Sequence, residues 1–237
     1  MRNQFLFTTI LIICTMFFSA SPASASVIYS NDFENASDPL TGWSSNSTTD
    51  TTPGTLSHTA DRFLGQFSNS TTTLTLNNLP LHNQMTLSFD LYIIRTWDGS
   101  TVYPPWPSFP LGPDIWFCSV QGSEQLIYTT FTNNEQHGFR QAYPFDYPSG
   151  DFPARSGAIE ENTLGFLGDP PGIVQDSVYH LDFTFSHSQS DVVINFGATG
   201  LEGLANESWG IDNVTVIPEP ATLLLFGLGG VMLRKRK

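Results

Sequence analysis

Three stretches in which apolar and polar residues alternate constrain the fold of this chain most. Residues 85–92, 179–186 and 192–198 each place an apolar side chain at every second position. Successive side chains on a β-strand point to opposite faces, so each stretch predicts a strand with one buried face. Turn residues separate these runs from further short ones, and no segment has a convincing helical period. The sequence therefore predicts an all-β domain of about ten short antiparallel strands.

Other segments complete this prediction. Residues 114–121 and 125–131 predict a hairpin, and Leu164 with Phe166 predicts a short strand. Segments rich in Ser, Thr, Asn or Pro predict loops, of which the last two are long and irregular: residues 44–54, 103–113 and 137–157.

The two ends of the domain carry a resemblance to known folds. Residues 31–34 (NDFE) and 208–214 (SWGIDNV) are similar to the first and last strands of jelly-roll modules. Carbohydrate-binding modules, concanavalin A-like lectins and MAM-type adhesion domains have such strands. The resemblance implies an antiparallel jelly-roll β-sandwich.

Residues 217–237 form a tail of three parts. Pro218, Glu219 and Pro220 come first, then the apolar residues 221–233, then the basic residues 234–237. Proline fixes φ and lacks a backbone N–H, so we expect the preceding strand to end before this motif. An apolar run of 13 residues is short of the ~20 that span a membrane comfortably. The alternative is an ordinary C-terminal helix packed on the domain.

This tail closely resembles the PEP-CTERM sorting signal of Gram-negative bacteria that make an extracellular polymeric matrix. The resemblance implies export, transient insertion of the short apolar helix into the inner membrane, and cleavage by an exosortase-type membrane protease. The destination it implies is the cell surface or the extracellular matrix.

The N-terminus also predicts export. Arg2 precedes the apolar residues 5–18, and Ala23, Ser24 and Ala25 form an A-x-A cleavage site. The predicted organisation is therefore a signal peptide at 1–25, a β-sandwich domain at 26–216 and the sorting and anchoring segment at 217–237.

Charge and cysteine content narrow the partners of the predicted domain. Residues 26–216 contain four arginines, no lysine and 21 acidic residues, a net charge of about −17. Such acidity argues against nucleic acid or an anionic membrane surface, and leaves neutral polysaccharide or divalent cations. Cys118 is the single cysteine of this domain, so no intramolecular disulfide is expected.

Aromatic residues in and beside the two long loops are the candidate ligand-binding site. Flat rings on a proline-rich frame suit stacking against sugar rings, so we predict polysaccharide binding by Trp97, Tyr103, Trp106, Tyr143 and Tyr147. The alternative is that these side chains fold back and cap the open end of the sandwich.

Three carboxylates at the ends of the domain are the candidate metal site. Asp32 and Glu34 follow the first strand and Asp212 lies in the last, and these two strands are often close in a jelly roll. Oxygen ligands of this kind suit a structural Ca²⁺. Alternatively, Asp212 hydrogen-bonds a turn and Asp32 caps the following loop.

No catalytic set is visible in the sequence. Neither an H-E-x-x-H nor a G-x-S-x-G motif occurs, and the adjacent Glu160 and Glu161 would point to opposite faces of a strand. We therefore predict a non-enzymatic surface or matrix protein that binds polysaccharide. A structural or adhesive matrix protein without a small-molecule site, and a glycan-active hydrolase, are the alternatives.

Overall fold

The computed structural model describes residues 25–37, 39–101, 112–135, 138–168 and 171–219. These ranges contain β-strands and no helix. Correspondingly, none of the described chain is a helix that could cross a membrane. The predicted signal peptide (except Ala25), most of the first long loop and the predicted sorting helix lie outside the described residues. The strands are β1 (Tyr29–Asn31), β2 (Thr49–Thr51), β3 (Arg62–Phe67), β4 (Thr71–Leu76), β5 (Gln84–Arg95), β6 (Ile115–Val120), β7 (Gln125–Thr130), β8 (Arg140–Gln141), β9 (Phe152–Pro153), β10 (Glu160–Glu161), β11 (Asp176–Ser186), β12 (Val192–Thr199) and β13 (Glu207–Glu219).

Two antiparallel sheets build the sandwich. The larger sheet has the strand order β10-β11-β5-β13-β3-β2. Both β3 and β1 pair with β13, β3 at residues 209–211 and β1 at residues 214–216. The smaller sheet has the order β4-β12-β6-β7, and β8 pairs separately with β9. Neighbours such as β5 and β13 are far apart in sequence, which is the crossing connectivity of a jelly roll. The fold is therefore the predicted antiparallel jelly-roll β-sandwich.

Aromatic contacts between the sheets hold the main core together. Phe89 of β5 packs against Trp116 of β6 and Phe196 of β12, with ring centroids 5.8 and 5.3 Å apart. Trp116 also meets Trp209 of β13 edge to face at 6.1 Å. All four side chains are fully buried. The alternating stretches predicted these buried faces correctly, since residues 85–91 and 192–198 bury every second side chain.

A second, smaller core lies under the segment at residues 162–168. Leu164 and Phe166 of this segment pack with Phe63, Tyr92 and neighbouring apolar side chains of the large sheet. Asp176 fixes the segment, because its carboxylate accepts hydrogen bonds from the backbone N–H groups of residues 164 and 166 at 3.1 and 3.0 Å.

The structure corrects several local predictions. The predicted strand at residues 164–166 is this covering segment instead, because its backbone bonds to the Asp176 carboxylate. Residues 44–54 are not all loop, since Thr49–Thr51 pairs with β3 as strand β2. The long loop at residues 137–157 likewise contains the short paired strands β8 and β9.

The expected end of the last strand before Pro218 is also wrong. Strand β13 continues through Pro218 and Glu219, which pair with Met85 and Gln84 of β5. The pairing of β13 with β1 ends at Val216, so the strand has a partner on one side only beyond that point. Proline is tolerated where a strand forms the edge of a sheet.

Candidate functional site

The structure separates the predicted aromatic residues into different environments. Trp97 is fully buried, and its indole N–H donates to the Ser208 carbonyl at 2.9 Å. It therefore belongs to the core and has no ring face to offer a ligand. Tyr103 and Trp106 lie outside the described residues.

Tyr143 is half-buried and packs inward. Its ring lies 4.9 Å from Phe131 and 5.2 Å from Tyr179, both of them buried. Trp97 and Tyr143 therefore fit the alternative in which the aromatic side chains fold back and cap the sandwich. Tyr147, in contrast, is partly exposed and lies beside the edge of the small sheet.

The outer face of the small sheet carries aromatic residues that were not in the predicted set. Phe117 of β6 is registered opposite Tyr128 of β7, and both point away from the core side chain of Trp116. Tyr128 is 37% exposed. The Phe117 ring lies close over Gly197, its partner on β12, which has no side chain in the way. A Cβ at Gly197 would come within 2.5 Å of Phe117 Cζ.

Residues 142–153 extend this surface beyond β7. Phe145, which is 57% exposed, stacks on Phe152 with ring centroids 5.7 Å apart and planes 11° apart. Hydrogen bonds fix the segment to β7: the N–H of Tyr147 donates to the carbonyl of Tyr128 at 2.8 Å, and the hydroxyl of Thr129 donates to the carbonyl of residue 145 at 2.7 Å. We call the resulting surface the aromatic face; its residues are Phe117, Tyr128, Phe145, Tyr147 and Phe152.

A row of polar side chains runs beside the aromatic face. Ser119, Asn195 and Thr73 lie in register on β6, β12 and β4, and all are partly exposed. The Thr73 hydroxyl donates to the Asn195 side-chain carbonyl at 3.2 Å. Flat rings next to hydrogen-bonding groups are the combination that a sugar ring, with an apolar face and hydroxyl edges, would need.

The sequence contains part of the signal for this face. Trp116 and Phe117 are adjacent on one strand, so one of them has to point outward. Only the structure shows that it is Phe117. Tyr128 occupies the corresponding outward position of the predicted hairpin, and Phe145 and Phe152 lie in the predicted aromatic loop.

Two of the three predicted metal ligands, Glu34 and Asp212, both lie near Asp61, which the prediction did not include. The Tyr92 hydroxyl lies 2.9 Å from Asp61 Oδ2 and 3.0 Å from Asp212 Oδ2. Asp61 is also within hydrogen-bonding reach of Glu34, and it raises the pKa of the Glu34 carboxyl. Burial raises the pKa of Asp212 to about 7. Asp32 is exposed, and its carboxylate accepts from the N–H of Glu34.

Comparison with protein families identifies the C-terminal tail. The family described as the PEP-CTERM protein-sorting motif matches residues 216–237. The chain carries a PEP-CTERM sorting motif. It is therefore an exported, surface-sorted protein. Of the motif itself, Pro218 and Glu219 lie in β13, and Pro220 is outside the described residues. No curated protein matches the chain.

Several solved structures are similar to this chain at low identity. A carbohydrate-binding module of lichenase 5A from Cellvibrio mixtus, in complex with cellotriose, is 11% identical over 81% of this chain and 97% of its own length, with a TM-score of 0.33. The K3 cleaved adhesin domain of Lys-gingipain from Porphyromonas gingivalis is 11% identical over 81% of this chain and 98% of its own, with a TM-score of 0.37. An exo-beta-1,3-galactanase from Phanerochaete chrysosporium is 14% identical over 83% of this chain, with a TM-score of 0.33, and the match spans 30% of the galactanase.

Proposed function

We propose that this exported protein binds a neutral polysaccharide of the cell surface or extracellular matrix through its aromatic face, without cleaving it. The observation that carries the proposal is the stacked pair of Phe145 and Phe152, in a segment that hydrogen-bonds to β7, the strand that carries the exposed Tyr128. Exposed aromatic side chains grouped on neighbouring segments are typical of an interaction site.

The chemistry of the face supports a sugar ligand. Aromatic rings lose little conformational entropy on binding. The hydrogen bonds from the Tyr147 N–H to the Tyr128 carbonyl and from the Thr129 hydroxyl to the Phe145 carbonyl hold the segment on β7 beforehand. The polar row of Ser119, Asn195 and Thr73 offers donors and acceptors to hydroxyl groups. The strongly acidic composition of the domain favours a neutral polymer over an anionic one.

The test is binding to a glycan array, followed by affinity measurements on the best ligand with Tyr128→Ala and Phe145→Ala. Each stacked ring is worth about 1–3 kcal/mol when bases stack on aromatic side chains, so we expect each variant to bind about 5–150-fold more weakly. Leu81→Ala is the control, because Leu81 is an exposed apolar residue that is not part of the aromatic face. If no glycan binds, the protein is instead a structural or adhesive matrix component. If the control loses as much affinity, the aromatic face is not the binding site.

We also propose how the protein reaches its destination. An exosortase-type membrane protease would cut at or near Pro218, Glu219 and Pro220 after transient insertion of the apolar segment into the inner membrane. The matched sorting motif supports this route. Release of residues 221–237 would leave the sandwich at the surface or in the matrix.

The structural calcium at the terminal strands is a proposal as well. Asp61 adds a third carboxylate between Glu34 and Asp212, which supports the convergence expected from the sequence. The Tyr92 hydroxyl lies between Asp61 and Asp212, so an ion would lie on the Glu34 side of Asp61. Asp32, whose carboxylate accepts from the Glu34 N–H, would add an outer oxygen.

A further inference from the structure

Four carboxylates meet at one end of the sandwich, away from the terminal-strand residues. Asp98 follows β5, Asp114 precedes β6, Glu202 lies in the loop after β12, and Glu207 begins β13. Asp98, Glu202 and Glu207 each have an oxygen within 4.8 Å of the others. Asp114 joins them, because its Oδ2 accepts from the backbone N–H groups of Asp98 and Gly99. We call these four residues the carboxylate cluster.

Two oxygens of the cluster are buried without a partner. Asp114 Oδ1 and Glu207 Oε1 are inaccessible to solvent and make no hydrogen bond, and both residues are 0% exposed. The second oxygen of Glu207 does have a partner, since Oε2 accepts from the N–H of Glu202 at 2.8 Å. A buried carboxylate oxygen with no hydrogen bond is costly unless a charge compensates it. These two oxygens therefore point to a missing positive partner.

The described residues supply no such partner. The domain has no lysine, and its four arginines contact other groups. Arg140 and Arg155 pair with Asp151 and Glu135. The remaining two bond elsewhere: Arg62 to Thr49, and Arg95 to Gln66, Ser208 and the carbonyl of residue 204.

We propose that the carboxylate cluster binds one Ca²⁺ ion. Calcium takes about 6–8 oxygen ligands at 2.3–2.6 Å, so two oxygens on opposite sides of it stand about 4.6–5.2 Å apart. The oxygens of Asp98, Glu202 and Glu207 lie within 4.8 Å of one another, which fits this limit. Mg²⁺ instead demands a near-ideal octahedron at about 2.0–2.1 Å and usually keeps several waters, so a cage of protein carboxylates suits Ca²⁺ better. The ligand set contains carboxylates and no His or Cys, which disfavours zinc. Glu202 is exposed and gives the ion a route in from solvent.

Such an ion would link the two sheets. Asp98 follows one strand of the large sheet, Glu207 begins another, and Asp114 precedes a strand of the small sheet. Cys118 is a free, buried cysteine, so no disulfide of this residue provides a similar link. The ion would hold one open end of the sandwich closed.

Shared protons are the competing way to neutralise the cluster. In the absence of a cation, burial raises the pKa of Asp98 to about 7 and that of Glu207 to about 12. Glutamine resembles a protonated glutamate in shape and hydrogen bonding. Glu207→Gln is therefore tolerated if protons fill this role, whereas it removes a ligand if calcium does.

The experiment is a calcium titration of the full-length chain after treatment with EDTA, by isothermal titration calorimetry and thermal melting. We expect the wild type to melt about 5–10 °C higher at a hundredfold excess of calcium over its dissociation constant. Magnesium at the same concentration should give less than half of that shift. Glu202→Gln should bind calcium at least ~10-fold more weakly. Because Glu202 is exposed, this variant should melt like the wild type in EDTA.

Two matched variants separate this site from other acidic groups. Glu124→Gln, in the exposed β6–β7 turn, should bind as the wild type does, and Asp212→Asn should retain the binding that depends on Glu202. The proposal is overturned if the wild type binds no calcium, if magnesium gives an equal shift, or if Glu202→Gln and Glu207→Gln both bind as the wild type. Loss of all calcium binding in Asp212→Asn alone would also overturn it. A Glu207→Gln variant that does not fold leaves Glu202→Gln to decide.

Discussion

Replacement of Gly197 by alanine tests whether Phe117 is a surface side chain that can move or part of the packed interior. The new Cβ would lie 2.5 Å from Phe117 Cζ and 2.8 Å from Thr71 Oγ1. Carbon atoms pack at about 3.5–4.0 Å, so the ring has to move by about 1 Å or more. Phe117 is only half-buried, and it can tilt outward from the sheet.

The expected cost in stability is small and the expected cost in binding is larger. Overpacking costs about 1–3 kcal/mol, and alanine recovers about 0.5–1 kcal/mol relative to glycine inside a strand. Because the ring can move, we expect a net loss of about 1 kcal/mol or less, which lowers the melting temperature by less than about 4 °C. A displaced Phe117 should weaken polysaccharide binding about 5–150-fold, as the loss of a stacked ring would.

Gly210→Ala provides the matched comparison on the large sheet. Its Cβ would lie 2.3 Å from Phe63 Cδ2 and 2.9 Å from the Leu64 carbonyl oxygen, and Phe63 is fully buried and has no room to move. We expect a loss of about 3 kcal/mol, or about 6–12 °C in melting temperature, with unchanged affinity of the folded fraction. Calorimetric melts and titrations of both variants provide the data. Equal destabilisation by the two, or full binding by Gly197→Ala, would refute the assignment of Phe117 to a binding surface.

Four further predictions concern the tail, the terminal strands, a histidine pair and the free cysteine. Mass spectrometry of the surface form should show a chain that lacks residues 234–237; their retention would contradict exosortase processing. If calcium binds at the terminal strands, EDTA should lower the melting temperature of Asp212→Ala less than it lowers that of the wild type. An equal EDTA effect in both would argue against that site. Burial and the adjacent His82 lower the pKa of His187, so the unfolded state takes up a proton more readily than the folded state does. The free energy of unfolding should therefore fall as the pH drops through and below about 6.5. His187→Asn should flatten this dependence in melts from pH 7 to 5, and an unchanged slope would show that the histidine pair is not its cause. Burial raises the pKa of Cys118, so a thiol reagent should leave it unmodified until urea unfolds the chain; rapid labelling of the native protein would show otherwise.

The sequence determined which positions of each strand share a face. At residues 85–91 and 192–198 the apolar period of two is strict, and a strand turns alternate side chains to opposite sides whatever its neighbours are. The hairpin of β6 and β7 is equally local, since its strands are joined by a short turn. The sorting motif was readable for the same reason, because its three parts are contiguous in the chain.

Tertiary structure decided which aromatic rings face solvent and which acidic groups meet. Trp97 follows β5 and Tyr128 lies in β7, yet Trp97 is enclosed in the core and Tyr128 is on the outer face. Asp61 joins Glu34 to Asp212 although all three are distant in sequence, and the same holds for Asp98 and Glu207 in the carboxylate cluster. The local apolar pattern determines only which side chains of a strand lie on the same face. The pairing of strands and the stacking of sheets depend on contacts between distant residues, and these contacts determine what each face meets.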